Sequence, residues 1–229
     1  MESLDTLALV SAIAVASGVN LYAAVFTLGL FGLTGYSELP SELGVLSDPL
    51  VLGAAGLMYC VEFFADKIPG LDTLWDAIHT FIRIPAAVIL SASAAGDVSP
   101  ALTVTAGLVG GGLATASHAT KASGRIMINT SPEPVSNWSA SLGEDLAVFA
   151  GLWAALNHPL LFLIALVVFI FIIAWLLPKL WRGIKQLWLI LRSLGKRTPI
   201  SVITSSEAYE PLIEPAVTKL KQIETKPKT

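Results

Sequence analysis

One uninterrupted apolar segment limits the choice of fold more than any other part of the sequence. It runs from Leu160 to Leu177, contains 18 residues without a charged side chain, and is bounded by Pro159 and Pro178. A helix needs about 20 apolar residues to cross a bilayer, so this segment is predicted to be a transmembrane helix. Hydrophobic residues make up 54% of the 229 residues and charged residues only 14%. These values argue against a disordered chain, a nucleic-acid-binding protein and a typical soluble enzyme.

Five other apolar segments predict further membrane-crossing helices. The six predicted spans cover residues 4–34, 49–66, 83–95, 101–121, 139–156 and 159–178. With three spans in each half, the second half begins on the opposite side of the membrane from the first. This is the layout of the inverted repeats found in many secondary transporters. The predicted fold class is therefore all-α, a polytopic membrane helical bundle of about six spans in a 3+3 inverted repeat.

Three segments are predicted to lie outside these spans. Residues 70–82 are too short to cross a bilayer and too apolar for a free loop, which predicts a re-entrant or interfacial helix. Residues 179–197 carry apolar and basic side chains at helical spacing, which predicts an amphipathic helix on the cytoplasmic surface, attracted to anionic lipids. Residues 198–229 are predicted to be a flexible polar tail. The predicted transmembrane domain is therefore 1–178.

The distribution of basic residues predicts the orientation in the membrane. Ten of the 14 Lys and Arg residues lie from Lys179 onward, and the first 66 residues contain none. Because Lys and Arg are enriched in cytoplasmic loops, the basic end is predicted to be cytoplasmic. Six spans then place every basic residue and both termini on that side. The N-terminus lacks the basic region of a cleaved signal peptide, so the first span is predicted to remain in the mature protein.

Ionisable residues at the end of span two and in the segment that follows it form the first candidate site. Glu62 and Asp66 share one helical face and are followed by Lys67. Buried carboxylates near one another can bind a proton or a cation, and a histidine can relay a proton near neutral pH. In the alternative interpretation, Lys67 and Arg83 only neutralise Asp66 and Asp76 near the cytoplasmic interface. A polar stripe opposite an apolar helix face completes this site, and its members are Asp72, Asp76, His79 and Arg83.

The second candidate site combines a basic helix face with two acids. His118, Lys121 and Arg125 share a face at the end of span four, and Glu144 and Asp145 begin span five. The basic face could bind an anionic group or balance Glu144. Lys121 and Arg125 also stand where snorkelling cations normally end a span. The two acids either complete an interior site or only interact favourably with the dipole at the N-terminus of their helix.

Asn20 and several glycines predict local features of the helices. Gly18 and Asn20 interrupt span one, which predicts either a broken helix that coordinates a ligand or a packing kink. Gly107 and Gly111 give span four a Gly-x-x-x-Gly pattern, which predicts close helix packing.

Four stretches of the chain carry a family resemblance. They are Gly18–Tyr22, Val61–Asp72 followed by Asp76 and Thr80–Arg83, Ser117–Ala122, and Leu142–Asp145. Together they resemble the motifs of a family of bacterial integral membrane proteins, the domain of unknown function 4126 family, over about residues 5–178. The second stretch is the most specific. The resemblance implies a multi-pass protein of the bacterial inner membrane and brings no established activity.

The leading hypothesis is a small secondary transporter or permease for a small solute or ion, with interior acids as its binding or coupling site. The alternative is a non-transport membrane scaffold or lipid-interacting protein that recruits through residues 179–197. A third interpretation, an enzyme acting on lipid headgroups through Asp72, Asp76 and His79, has no recognised catalytic motif behind it. The lipid bilayer is the predicted partner and no cofactor is predicted, while a metal, the substrate and a homo-oligomer stay open. The candidate site residues are Asn20, Glu62, Asp66, Lys67, Asp72, Asp76, His79, Arg83, His118, Lys121, Glu144 and Asp145.

Overall fold

The computed structural model describes residues 3–96, 99–130 and 134–195, and these ranges contain helices and no strand. The predicted tail, with residues 196 and 197 of the predicted amphipathic helix, lies outside the described residues. The chain divides into two compact units, Met1–Gln186 and Leu187–Thr229. The helices are α1 (Ser3–Leu33), a 3₁₀-helix (Ser41–Ser47), α2 (Pro49–Ala65), α3 (Leu71–Ala94), α4 (Pro100–Ile128), α5 (Pro134–Asn157) and α6 (Pro159–Gly195). The predicted all-α helical bundle is confirmed.

The first helix forms the centre of the larger unit. The α1 helix carries apolar side chains on nearly all of its sides, and it packs against α2, α3, α4 and α5. Leu9, Ile13 and Leu28 are fully buried in this core. A helix that is apolar all round is typical of a membrane span or of a fully enclosed core helix.

Proline and a capping side chain fix the starts of two helices. Asp48 accepts a hydrogen bond from the backbone N–H of Leu50 at 2.8 Å, and Pro49 follows as the first residue of α2. Ser99 caps α4 in the same way, and Pro100 follows it. Proline suits the first position of a helix because its missing N–H would have no helical partner there.

The polar stripe after span two lies on a single helix, which corrects the prediction for this segment. Instead of a separate re-entrant or interfacial helix over 70–82 and a short span over 83–95, one helix, α3, runs from Leu71 to Ala94 through Pro85. Because α3 is continuous, the four polar residues of the stripe stay on one helix face, and all four are buried. The opposite face, with Leu74 and Ile78, is exposed as expected from the sequence.

Two other helices also extend past their predicted ends. The fourth helix continues beyond residue 121 to Ile128, which carries Arg125 inside the helix. The sixth helix runs through Pro178, so the predicted span 159–178 and the described part of the amphipathic segment form one helix. Proline removes one helical hydrogen bond but does not always end a helix.

Membrane embedding is supported by the length and composition of the helices. Three helices, Ser3–Leu33, Leu71–Ala94 and Pro159–Leu189, are long and apolar enough to cross a membrane. The 3₁₀-helix and α2, which meet at a 67° bend, together form a fourth candidate. The protein is therefore membrane-embedded. Six spans and the inverted repeat stay predictions.

The helix break at Asn20 and the glycine packing of α4 are both confirmed. Asn20 has non-helical φ and ψ of −147° and 97° in the middle of α1. A side chain at Gly111 would lie 2.7 Å from Val88 Cγ2, so α4 packs against α3 there. A side chain at Gly18 would overlap the carbonyl oxygen of Ala114 and the hydroxyl of Ser117, so α1 and α4 also pack closely.

We expect the Gly18→Ala substitution to lower the free energy of unfolding by about 1–3 kcal/mol, because backbone of α4 must move to admit a methyl group. Gly112→Ala is the matched control, since a side chain there meets no atom within 4 Å among the described residues. Denaturant unfolding in detergent micelles measures both variants. Equal stability of the two would show that the crossing of α1 and α4 is not tightly packed.

Candidate functional site

Lys121 on α4 lies at the centre of a buried cluster of charged side chains. Its Nζ is 2.8 Å from Asp66 Oδ2 and 3.2 Å from Glu62 Oε1. It is also 3.6 Å from Glu144 Oε2 and 3.7 Å from Asp76 Oδ1. One cation thus meets four carboxylates that come from three other parts of the bundle.

The same ammonium group reaches the broken first helix. Lys121 Nζ donates a hydrogen bond of 3.0 Å to the carbonyl oxygen of Val19, the residue before Asn20. A break in a helix leaves backbone carbonyls without helical partners, and these can coordinate ions or substrates. Here the carbonyl beside the break contributes directly to the charged cluster.

Arg83 on α3 joins two of these carboxylates from the other side. One guanidinium nitrogen is 2.6 Å from Glu62 Oε1, and the other is 2.8 Å from Asp76 Oδ1. The second nitrogen also lies 3.3 Å from His118 Nδ1. Because arginine only donates hydrogen bonds, Nδ1 must accept, which places the imidazole proton on Nε2 beside the hydroxyl of Thr80 at 2.7 Å. His118 is therefore neutral in this arrangement.

Arg125 is part of the cluster and does not end the span as a snorkelling cation. It is fully buried, and its guanidinium is 2.6 Å from Glu144 Oε2 and 3.4 Å from Asp66 Oδ2. It also donates to the backbone oxygens of Asp66 and Asn137 and to the side-chain oxygen of Asn137. The expected balance between the basic face and Glu144 is thus confirmed, with Arg125 as its main contributor.

We call these seven side chains the ion-paired network. Its members are Glu62, Asp66, Asp76, Glu144, Arg83, Lys121 and Arg125. Four carboxylates face three cations. In the described part of the chain, Glu62 Oε2, Asp66 Oδ1 and Asp76 Oδ2 are buried without a protein hydrogen-bond donor, and Arg83 Nε and Arg125 Nε are buried without a protein acceptor. The pairing is therefore extensive but incomplete.

Asn20 and Asp145 form a polar pair beside the network. Asn20 Nδ2 donates a 3.1 Å hydrogen bond to Asp145 Oδ1. Its Oδ1 accepts from the backbone N–H of Ala23 at 3.0 Å, which caps the second part of α1. The amide of Asn20 thus ties the helix break to α5.

Asp72 and His79, two of the predicted site residues, have roles outside the ion-paired network. Asp72 Oδ1 accepts from the backbone N–H groups of Gly70 and Thr73 and from Asn129 Nδ2, so it stabilises the start of α3. The ring of His79 stacks on the ring of Trp75, and His79 Nδ1 forms a hydrogen bond with the backbone oxygen of Trp75.

Lys67 donates to the backbone oxygen of Phe63 and to Ser141. In the alternative interpretation Lys67 pairs with Asp66, but among the described residues the ion-pair partners of Asp66 are Lys121 and Arg125. The expected pairing of Arg83 with Asp76 is confirmed.

The arrangement does not favour metal or headgroup chemistry. No group of three or more His, Cys, Asp and Glu side chains in the described ranges is placed to hold a metal ion. Asp72, Asp76 and His79 are each buried and have separate partners, so they do not converge on a common substrate.

A cavity of about 380 Å³ lies apart from these residues. It is lined by side chains of α1, α5 and α6 such as Ala16 and Phe162, and its lining is almost entirely apolar.

The charged cluster gathers the stretches that carry the family resemblance. A family model described as "Domain of unknown function (DUF4126)" matches residues 7–179. The chain belongs to this family. The matched region of this DUF4126 protein includes the whole ion-paired network and the break at Asn20. Comparison with curated proteins and with solved structures found no match.

In this DUF4126 protein, sequence reasoning placed Arg125 in the second candidate cluster but left it out of the candidate site residues, and it missed Asn137 altogether. Arg125 shares a helix face with His118 and Lys121, and this spacing was a usable signal. Its position near the predicted end of a span pointed instead to the membrane surface. Asn137, which is fully buried against Arg125, gave no signal in the sequence because a single asparagine before a span has many structural roles.

Proposed function

We propose that this DUF4126 protein is a small membrane transporter or permease, and that the ion-paired network is its binding or coupling site. The observation that carries the proposal is the buried network itself, in which three carboxylates each keep one oxygen without a partner in the described part of the chain. The substrate is a small solute or ion that these groups can bind or exchange.

The energetic cost of the network supports a functional role. Moving charged groups from water to the interior costs several kcal/mol for each ion, and a pair of well-packed apolar residues is often at least as stable. Ionisable side chains inside membrane proteins therefore mark substrate, ion or proton sites by default.

The break in α1 supports the same proposal. Discontinuous helices commonly form the binding sites of secondary transporters, where freed backbone groups and side chains meet near the middle of the membrane. In this protein the break at Asn20 places the carbonyl of Val19 against Lys121 and the amide of Asn20 against Asp145. A change in the angle of this break would change both contacts together.

The proposed orientation has both termini in the cytoplasm of a bacterial inner membrane. The concentration of Lys and Arg after residue 178 supports it through the positive-inside rule. Four spans, like six, would return the chain to its starting side. Two basic residues of α6, Lys179 and Lys185, lie over the rings of Trp175 and Trp181, an arrangement that suits contact with anionic lipid headgroups.

A scaffold or lipid-interacting protein is the second candidate, favoured by the eight close ion pairs of the network. In that case the ion pairs only hold the helices together, and the basic residues of α6 perform the function. Substitution of Lys179, Arg182 and Lys185 by glutamine would then impair the protein. Neutralising the interior acids would affect stability alone.

Charge movement by the purified protein tests the two candidates. Proteoliposomes on a solid-supported membrane are exposed to pools of inorganic cations, organic acids, amino acids and sugars. We expect at least one pool to give a current with the wild type, and the double variant Glu62→Gln, Asp66→Asn to abolish it. Glu42→Gln, in the exposed 3₁₀-helix, should keep the current. Currents that survive in the double variant would remove the network from the transport mechanism.

A further inference from the structure

The ion-paired network contains one more carboxyl group than it has cations. The four acids are Glu62, Asp66, Asp76 and Glu144, and the three cations are Arg83, Lys121 and Arg125. If every group were ionised, the network would carry a net charge of −1. An uncompensated charge in a membrane-embedded interior is unfavourable, so a further positive charge is needed.

Neighbouring groups do not supply this charge. His118, the imidazole in contact with Arg83, is neutral because its Nδ1 accepts from the guanidinium. From α1, the uncharged side chains of Asn20 and Tyr22 and the backbone of Gly18 and Val19 lie close to the cluster, and none of them carries a positive charge. His79 makes no ion pair with a network acid in the described ranges, since its Nδ1 bonds the backbone of Trp75.

The two other acids near the network do not offset its excess carboxyl group. Asp145, from α5, is hydrogen-bonded by Asn20 and interacts electrostatically with Lys121 and, more weakly, with Lys67, so it adds negative charge around Lys121 and no positive charge. Asp72 is stabilised by backbone N–H groups at the start of α3 and by Asn129. Neither acid contributes a positive charge, so the excess of one carboxyl group remains.

A proton fits the excess better than a metal cation does. Metal ions need several oxygen ligands around one point. The network carboxylates instead turn one oxygen each toward Lys121 or Arg83, and the described residues offer no cluster of acids that could surround a metal ion. A proton needs only one free oxygen, and three buried carboxylates keep such an oxygen.

We propose that the network retains one proton, shared among its four carboxyl groups, and that this proton is the ion exchanged during transport. The second part rests on the proposed function. Glu144 is the most accessible acid of the network, with 21% of its side chain accessible, and we therefore assign it as the group through which the proton enters. Uptake of one proton changes the network charge from −1 to 0, and release restores it.

Infrared spectroscopy of the full-length protein in detergent at neutral pH tests the resident proton. We expect a C=O band of a protonated carboxyl group that shifts in deuterated buffer. In Glu62→Gln, three carboxyl groups face three cations, so the spectrum should lose the intensity of one protonated carboxyl. Glu42→Gln, a matched acid outside the network, should keep it. Asp76→Asn makes the same test, because it also leaves three carboxyl groups, and it serves if Glu62→Gln does not fold.

Equal band intensity in the wild type and in both network variants would overturn the inference, as would the absence of a band in the wild type. The outcome separates this inference from the proposed function. Loss of the band without any solute current would support the resident proton and overturn its role in transport. A current abolished by the double variant without any band would support transport and overturn the proton.

Discussion

Replacing Lys121 with methionine should lower the free energy of unfolding by about 3–5 kcal/mol, because it removes the central cation and leaves buried carboxylates unpaired. Lys121 lies within 4 Å of all four acids of the network. Its loss would raise the excess of carboxylates over cations from one to two. Denaturant unfolding in detergent micelles measures the change, and Lys179→Met, at an exposed position of α6, is the matched control.

The sign of the charge decides which substitutions the network tolerates. Glu62→Gln removes the one carboxyl group in excess of the cations, so it should cost less than half as much as Lys121→Met. The double variant Glu62→Gln, Lys121→Met should be more stable than Lys121→Met alone, because three carboxyl groups then face two cations and the excess of carboxyl groups returns to one. Contacting residues typically show coupling energies of about 0.5–3 kcal/mol in such cycles. Additive losses, or a Glu62→Gln variant as unstable as Lys121→Met, would contradict the proposed charge balance.

Replacing Arg83 with methionine should have a comparable effect of about 3–5 kcal/mol, because Glu62, Asp76 and His118 would all lose a partner. Arg83→Lys tests geometry separately from charge. A lysine keeps the charge but cannot place two nitrogens in a fork between two carboxylates. We expect it to lose about 1–3 kcal/mol, which is the cost of an unsatisfied buried group.

Arg182, which is exposed on α6, provides the control for both Arg83 substitutions. Arg182→Met and Arg182→Lys should stay close to the wild type, since surface substitutions usually change stability by less than about 0.5 kcal/mol. If Arg83→Lys were as stable as the wild type, the two short contacts of the guanidinium would not be needed. If Arg83→Met were as stable, the network would not be a buried unit.

Patterns within one helix were predicted well from the sequence. The stripe of Asp72, Asp76, His79 and Arg83 follows from helical spacing alone, and its burial follows from the apolar opposite face. The break at Asn20 was predicted from a local Gly and Asn pattern. These features depend on residues that are close in sequence, which helical periodicity relates directly.

Relations between helices were predicted less well. Lys67 lies beside Asp66 in the sequence, yet the partners of Asp66 are Lys121 and Arg125, more than 50 residues away. Residues 70–82 are too short to cross a bilayer by themselves, which suggested two short helices, whereas one continuous helix, α3, packs along α4. Which cation meets which acid depends on helix packing, and spacing along one chain cannot specify it.

The most direct test of the central claim is proton flux through the purified protein in liposomes. Liposomes hold a pH-sensitive dye, a potassium gradient with valinomycin sets the membrane potential, and the solute pool that gives the largest current is present. The proposed mechanism predicts proton uptake above that of protein-free liposomes for the wild type and for Glu42→Gln, and none above that level for Glu62→Gln. Equal fluxes in wild-type and protein-free liposomes, or an undiminished flux in Glu62→Gln, would contradict it.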